Sequence, residues 1–542
     1  MVRTKFLYAA LALVLLAAPS CTDWLDLKPE EGRVEDDYWY SKDDVHKAVI
    51  GCYTSLMTPA MITKIFDWGE ARADMLTAGP NQESYHVNII RGEFGPENGV
   101  TDWAVFYTTI NYCNKVIENA AAVRDIDKTF TDALCRQYVA EATVIRSLMY
   151  FYLVRSFHDV PFVLQASNND QQNYYYAKTD GRIILDSLIA QLERVRMQLP
   201  ATFGSNNADK GRFTLYGASA LLADVYLWQE RNADCARVCE NIISSERYNM
   251  VPVVREMKLI RNKADEIKDT AYIVSSEVMD RWFNELYGTG NSRESIFEIQ
   301  FPETHPTWGD PFYDMFSSAA NRPRRLPKDE NLDGLLFPDY EFEGVVDRTI
   351  KDIRSLTYSR YVAKYTQKSL SNTVERLPRE YPHLIIYRLP DVMLMRAEAL
   401  TAMAADNSAL LQEAYELVKK VRERSNAITT KGSEADIQNL SVKSLERLIL
   451  AERAREFLFE GKRWYDVLRF AKRDNYGGDN LDYLTTMAIY SAPPEKVKSL
   501  QTKYETKTET YPYYWYHYWP ILAGTVEMNK NLEQNEYFKL QQ

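Results

Sequence analysis

The sequence predicts a mainly α-helical protein in which helix pairs form a scaffold and a loop-rich insertion carries a few short strands. Three observations point there. Apolar residues recur every three or four positions through most of the chain, and small residues lie on both members of successive helix patterns. One long stretch, Met250 to Pro390, breaks that period with strand-like runs and turns marked by Pro and Gly.

Taken in order, Trp103 to Val123 places Phe106, Ile110, Cys113 and Ile117 on one stripe, the signature of an amphipathic helix. A second helix pattern runs from Cys135 to Phe157 and stops at Asp159-Val160-Pro161, because the residue before a proline is biased away from helical geometry. Tyr216 to Ser244 repeats the format, with a polar break at Glu230 to Ala233. Asp391 to Arg424 repeats it again around Ala405 to Ser408. Ala218, Ala220 and Ala223 face Ala236, and Ala397, Ala399 and Ala402 face Ala414, so that two helix axes can approach closely. This pairing is similar to tetratricopeptide repeats, but it is degenerate and discontinuous, so a platform with interruptions is expected rather than a regular solenoid. The insertion contains the strand-like Ser295 to Phe301 and the aromatic cluster Trp308 to Phe316. Loops held on a rigid platform are where binding tends to reside.

Charge and composition narrow the function. The 542 residues are 46% hydrophobic and 26% charged, ordinary for a globular chain, and the net charge of −11 argues against a nucleic-acid binder. The 37 tyrosines and 10 tryptophans are an excess of rings with polar handles, suited to amphipathic packing or to gripping a partner. At the start, Arg3 and Lys5 precede an apolar run from Phe6 to Ala18, the pattern of a signal peptide covering residues 1–20. It ends in Ala-Ala-Pro-Ser-Cys, similar to a bacterial lipobox with Cys21 as the lipidated residue; Ala18 and Pro19 depart from the usual pattern, and simple secretion is the alternative. Five further cysteines, Cys52, Cys113, Cys135, Cys235 and Cys239, cannot all pair within one chain. Cys235 and Cys239 share a helix face without acidic or histidine partners at ligand spacing, so they are expected to be buried.

The stretch Leu450 to Phe470 is dense in charge. On a helical wheel Leu450, Ala454, Phe457 and Leu458 fall together, Glu452, Glu456 and Glu460 line the next stripe, and Arg453 and Arg455 flank it; Gly461 ends or bends the helix. A glycosidase needs two carboxyls facing one bond from opposite sides, which three acids in register on one face do not supply. An ion-paired helix crossing is the natural reading.

That segment, ERAREFLFEGKRWYDVLR, resembles the ER-x-x-EL-x-x-EG-x-R-W-x-D-L-x-R block of the SusD/RagB family of Bacteroidetes. Other elements agree: the leader CTDWLDLKPE; Trp103, Tyr107, Ile110 and Asn114; Arg146 to Pro161; Tyr387 to Ala399; and Trp519 to Tyr537. Departures are Ser147 for alanine, His158 for the glycine before Asp159, and Leu522 for a second proline. The resemblance covers essentially the chain from Cys21 to Gln542 as a single unit. It would hold its scaffold at about 40–250 and 385–470, its insertion at about 251–384 and a C-terminal segment at 471–542. It implies a lipid-anchored outer-membrane protein on the cell surface that binds glycan without catalysis. Its partners would be an oligosaccharide and a SusC-like TonB-dependent transporter, with no nucleic acid and no membrane contact beyond the anchor.

Sugars need aromatic planes for stacking and polar groups for their hydroxyls. Two loops supply them: Gly79 to Asn98, with Asn81, Gln82, Tyr85, His86 and Arg91, and Arg281 to Phe316, with Trp282, Tyr287, Asn291, Trp308 and Tyr313. No cofactor is expected. Asp329 to Gly334 matches half of a calcium loop, but position twelve is Tyr340 and Pro338 intervenes, so calcium is weakly supported against a solvated turn. The ring-rich run Tyr511 to Trp519 is expected to pack on the helical body or face the transporter. With 6 histidines, none in an H-E-x-x-H pair, and no P-loop, G-x-S-x-G or dinucleotide fingerprint, enzymatic function rests only on the glycosidase alternative. A peptide-binding helical platform is the other.

Overall fold

The computed structural model describes residues 38–78, 85–168, 172–262, 264–301, 311–316, 325–327, 336–343, 345–357, 362–366, 382–405, 407–427, 440–507 and 515–539. The signal peptide and Cys21 lie outside this set, as do the calcium-like run 329–334 and Tyr511 to Tyr514.

The protein is mainly helical, as the periodicity predicts. Helices α1 (Lys42–Leu56) and α2 (Pro59–Glu70) open the scaffold. Ser41 and Asp44 close a capping box on α1, and Thr58 caps α2 ahead of Pro59, where the missing N–H costs nothing. The pair α3 (Ala104–Ile126) and α4 (Asp132–Phe157) follows, then α5 (Gly181–Arg196), then the pair α6 (Leu215–Trp228) and α7 (Asn232–Ile243). Past the insertion with its helix α8 (Ser276–Phe283), the scaffold resumes with the pair α9 (Leu389–Ala404) and α10 (Ser408–Arg424). Then come α11 (Val442–Glu456), α12 (Arg463–Lys472), α13 (Asp479–Ile489) and α14 (Val497–Glu505). Each break read from the sequence falls between paired helices. Ala218, Ala220, Ala223, Ala397, Ala399 and Ala414 are buried where helices meet, whereas Ala402 faces solvent. All five cysteines beyond Cys21 are buried thiols.

Helix α4 ends at His158, which takes φ +67° where the resembled motif has glycine. An L-residue is strained there, and the ring is held by Asp159 at 2.6 Å and by an edge-on contact with Tyr518. Among the described residues the strands form four antiparallel pairs, drawn from β1 (Leu76–Ala78), β2 (Glu256–Arg261), β3 (Ile267–Ile273), β4 (Ser295–Ile299), β5 (Arg325–Pro327), β6 (Tyr340–Phe342), β7 (Val345–Asp347) and β8 (Leu384–Arg388). Strands β1 and β5 pair, as do β2 with β3, β4 with β8, and β6 with β7. Both β4 and β8 are buried along their whole length, and β8 runs straight into α9, so this pair welds the insertion to the scaffold. One large apolar core spans the helices. Two small ones lie under the insertion, the first around Trp282 and Phe283, the second around Ile260 and Tyr340. Among the described residues no single helix is long and apolar enough to cross a membrane.

Candidate functional site

The acidic stripe of α11 is the hub of a buried ion network. Arg354 reaches Glu456 at 2.9 Å and Asp352 at 2.6 Å, and it also pairs with Glu452. Arg388, fully buried, pairs with Glu456, with Glu460 at 3.0 Å and with Glu294 at 3.2 Å. Arg424 joins Glu294 at 2.6 Å and Glu456, Arg422 joins Glu452 at 3.0 Å, and Lys364 joins Glu460 at 3.1 Å. Burial alone would raise the Glu456 carboxyl, but Arg424, Arg388 and Arg354 outweigh it and hold the group well below the carboxylate range. Glu452 and Glu460 are depressed by the same balance of burial against Arg354 and Arg388 respectively. Carboxylates pinned in their charged form between guanidiniums are poor proton donors, and all three are buried. The stripe binds helices together; it does not move protons.

A second knot joins the two ends of the chain. Gly461 adopts φ +68°, and the backbone of Gly69 lies so close that a Cβ there would stand 1.7 Å from the Gly461 carbonyl oxygen. Glu70, buried beside this turn, accepts from the amides of Phe459 and Lys462 at 3.3 and 3.2 Å, and burial pushes its carboxyl up to about 8. Arg72 donates to the carbonyls of His517 at 2.8 Å and Tyr516, in a cage that includes Phe94, Trp464 and Trp519. Tyr516, Tyr518 and Trp519 are all buried, so this part of the ring-rich run packs on the helical body.

The two loops expected to hold ligand behave differently from each other. Strand β1 directly precedes the first, and Leu76 and Ala78 pair with Pro327 and Arg325 of β5, which lies beyond the second. The short helix Pro311–Phe316 packs on α2, with Phe316 edge-on to Phe66. The flanks of both excursions therefore meet at one edge of the scaffold. Asn81, Gln82 and Trp308 lie outside the described residues. Tyr85 and His86 begin the helix Tyr85–Ile90, Arg91 follows it half-buried, and Tyr313 lies in the helix Pro311–Phe316.

The expectation for Trp282 and Tyr287 is corrected. Trp282 is 1% exposed and Tyr287 7%, because both fill the small core with Phe283, Leu286, Ile353 and Ile385 and cannot stack on a sugar. Asn291 serves the frame: its backbone amide donates to Glu298 at 2.9 Å, and its side-chain oxygen accepts from Gln300 at 2.6 Å. Its φ of +54° and its exposed neighbours Asn206 and Asn207 make it the hinge of an amide-rich patch at the foot of the second loop. Among the described residues no group of three or more histidines, cysteines or acids is placed to hold a metal ion.

These positions can be set against known proteins. A family model described as the SusD family matches residues 340–538, and one described as "Starch-binding associating with outer membrane" matches residues 23–227. The chain belongs to the SusD family. SusD-like protein P38 of Formosa agariphila is 24% identical over 480 residues, 84% of this chain and 88% of its own length. A SusD-like protein of Bacteroides ovatus is 22% identical, over 86% of this chain and 82% of its own. Among solved structures, a SusD superfamily protein of Bacteroides vulgatus superposes with a TM-score of 0.68 at 19% identity, covering 92% of this chain and all of its own, at 100%. Surface glycan-binding protein A of Bacteroides thetaiotaomicron, solved in complex with laminarihexaose, superposes with a TM-score of 0.62 at 18% identity, covering 91% of this chain and 99% of its own.

Sequence reasoning about this SusD-family chain missed a concave surface on its first helices. A cavity of about 440 Å³ opens between α1 and α3, lined by Tyr38, Trp39 and Tyr112 among others. The signal was present: Tyr112 stands off the apolar stripe of α3 and is exposed.

Proposed function

We propose that this protein captures oligosaccharide at the cell surface without cleaving it and passes it to a TonB-dependent transporter of the SusC type, held at the outer membrane by lipid on Cys21. The observation that carries the reading is the convergence of the flanks of both ligand loops on the β1–β5 ladder, above a scaffold whose acidic stripe on α11 is spent on internal pairs. Such a frame positions loops, and the carboxylates of its α11 stripe are held charged between guanidiniums. The laminarihexaose complex of a protein with the same fold supports glycan as the ligand class. With Trp282 and Tyr287 removed from the candidates, Trp308 and Tyr313 are the aromatics left for stacking at the second loop.

Calorimetric titration with laminari-oligosaccharides and other glycans, followed by chromatography of the mixture, tests the reading. Saturable binding with intact sugar supports it, as does at least about a tenfold loss of affinity in Trp308→Ala, the scale of one stacked aromatic contact. Appearance of shorter sugars would show a hydrolase instead. Retention of peptide but not carbohydrate would make it a peptide platform. Labelling of the wild type but not Cys21→Ala with radioactive palmitate tests the anchor.

A further inference from the structure

The ends of α4, α6 and α12 and the start of α5 converge on another concavity, a cleft of about 330 Å³. Val154, Leu185 and Trp228 give it an apolar side, and Glu230, Asn475 and Lys472 a polar one. The chain runs through left-handed backbone at four lining positions, His158, Glu230, Asn475 and Tyr476, with φ of +67°, +59°, +51° and +61°. Glycine takes that conformation freely and these residues do not, so the rim carries strain of the kind that gathers at functional sites. Lys472, the last residue of α12, lays its Nζ 4.4 Å from the centroid of the Trp228 ring. Among the described residues that ammonium makes no hydrogen bond and no ion pair. Burial pushes the amine down to about 8, against the pull of Glu230 and with the repulsion of Arg469.

Burial alone does not single out this residue. Lys210 is pushed down to about 8 by the same cause, yet its ammonium donates to the Ser295 carbonyl and lies over Tyr248 at 4.3 Å. Lys64 donates to the Gly99 carbonyl at 2.8 Å, and Lys364 to Glu460 at 3.1 Å. A lysine attacks only with its proton shed and its lone pair free, and each of these three is held as a donor by an acceptor it would have to leave. Lys472 leaves only a ring face, and it does so at the wall of an open cleft. We propose that Lys472 is a nucleophilic amine that captures short hydroxyaldehydes, the open-chain form of a small reducing sugar among them, as an imine in this cleft. The neutral nitrogen bonds to the carbonyl carbon as the C=O π bond opens, and a proton moves from nitrogen to oxygen. A solvent proton then lets that oxygen leave as water while the nitrogen lone pair forms C=N, and the iminium returns one proton to solvent. The Glu230 carboxylate and the Asn475 amide stand on the rim for the hydroxyls of such a substrate. Among the described residues the lining takes none from the two ligand loops, so the site does not rest on the reading above.

The test is a short incubation of the purified protein with millimolar glycolaldehyde or glyceraldehyde and cyanoborohydride at about pH 7.4, with the labelled lysines located by peptide mass spectrometry. Cyanoborohydride delivers hydride to the imine and makes the capture permanent. At that pH an amine at about 8 is roughly 20% free base and an ordinary lysine at about 10.4 only about 0.1%. Even with the cleft limiting access, Lys472 is labelled at least about tenfold faster than Lys47 and Lys443, whose side chains are 70% and 74% exposed. Its rate levels off above about pH 8, while theirs goes on rising to about pH 10. Lys210 is labelled no faster than they are, and in concentrated urea Lys472 loses its advantage. Labelling of Lys472 at or below the rate of Lys47 and Lys443 overturns the proposal. So does Lys210 keeping pace with Lys472, which would make burial and not the open cleft the cause, and so does an advantage that survives in urea.

Discussion

Arg388→Met removes the guanidinium at the centre of the ion network and replaces it with an apolar chain of similar length. Arg388 joins β8 to α11 and the turn after it through Glu294, Glu456 and Glu460, and it also donates to the Glu456 carbonyl. Without it Glu456 keeps Arg354 and Arg424, Glu460 keeps Lys364, and Glu294 keeps Arg424 and the Val251 amide. Removing one partner of a buried pair costs about 3–5 kcal/mol, a large share of the roughly 5–15 kcal/mol that holds a folded domain together. Burial already outweighs Arg424 and Arg388 at Glu294 and raises its carboxyl, so losing Arg388 drives Glu294 to take up a proton as the medium becomes acidic. Neutralising the orphan reduces its penalty, hence the loss is largest at about pH 8 and smaller at about pH 5. Urea unfolding of both proteins at the two pH values, followed by circular dichroism and by emission of the buried Trp464, measures it. A loss below about 1 kcal/mol, or one equal at both pH values, would refute the view that the network holds the frame.

Four further outcomes are expected. Asp391 and Glu398 are held at about 2 because cations outweigh burial, and His517 is pushed down to about 3 by burial, so all three depressed groups favour the fold at higher pH and lose that advantage as pH falls: His517 from about 6.5, the acids from about 4. Glu70, raised to about 8, acts oppositely: its contribution is complete below about 4.5 and is lost as pH rises through about 8, so Tm falls on the alkaline side and Glu70→Gln flattens that limb; an unchanged slope would count against its burial as a neutral acid. Trp282→Ala lowers stability by about 3–5 kcal/mol and leaves glycan affinity intact, the reverse of what a ligand-stacking ring would do. Gly69→Ala forces a methyl against the Gly461 carbonyl and costs about 3 kcal/mol or more in urea unfolding, and near-neutral behaviour would show the turn to be adjustable.

The helix pairs were legible because their signal is local: a stripe on α3 or α6 is visible within a dozen residues, and Gly461 marks a turn by its own chemistry. Helices α1 and α2 and the β2–β3 hairpin went unread. The acidic stripe on α11 was readable, but its partners Arg354, Lys364, Arg388 and Arg424 come from separate places in the chain. Trp282 and Tyr287 were misplaced for a related reason. The residues that enclose them, such as Ile353 and Ile385, arrive from elsewhere in the sequence, so nothing near Trp282 tells an inward ring from an outward one. His158 shows the limit of motif matching: the residue differs from the family's glycine, yet the backbone keeps the left-handed turn.

The contact of Gly69 with Gly461, together with Arg72 in its cage of late aromatics, makes the opening segment a keystone set before the arch exists. Residues from the start of the chain wait for groups made near its finish, so no early intermediate of synthesis or delivery owns a sealed interior. Proofreading follows at no extra cost: a prematurely terminated copy leaves Gly69, Glu70 and Arg72 without their covers, and any protease that surveys open chains will find it.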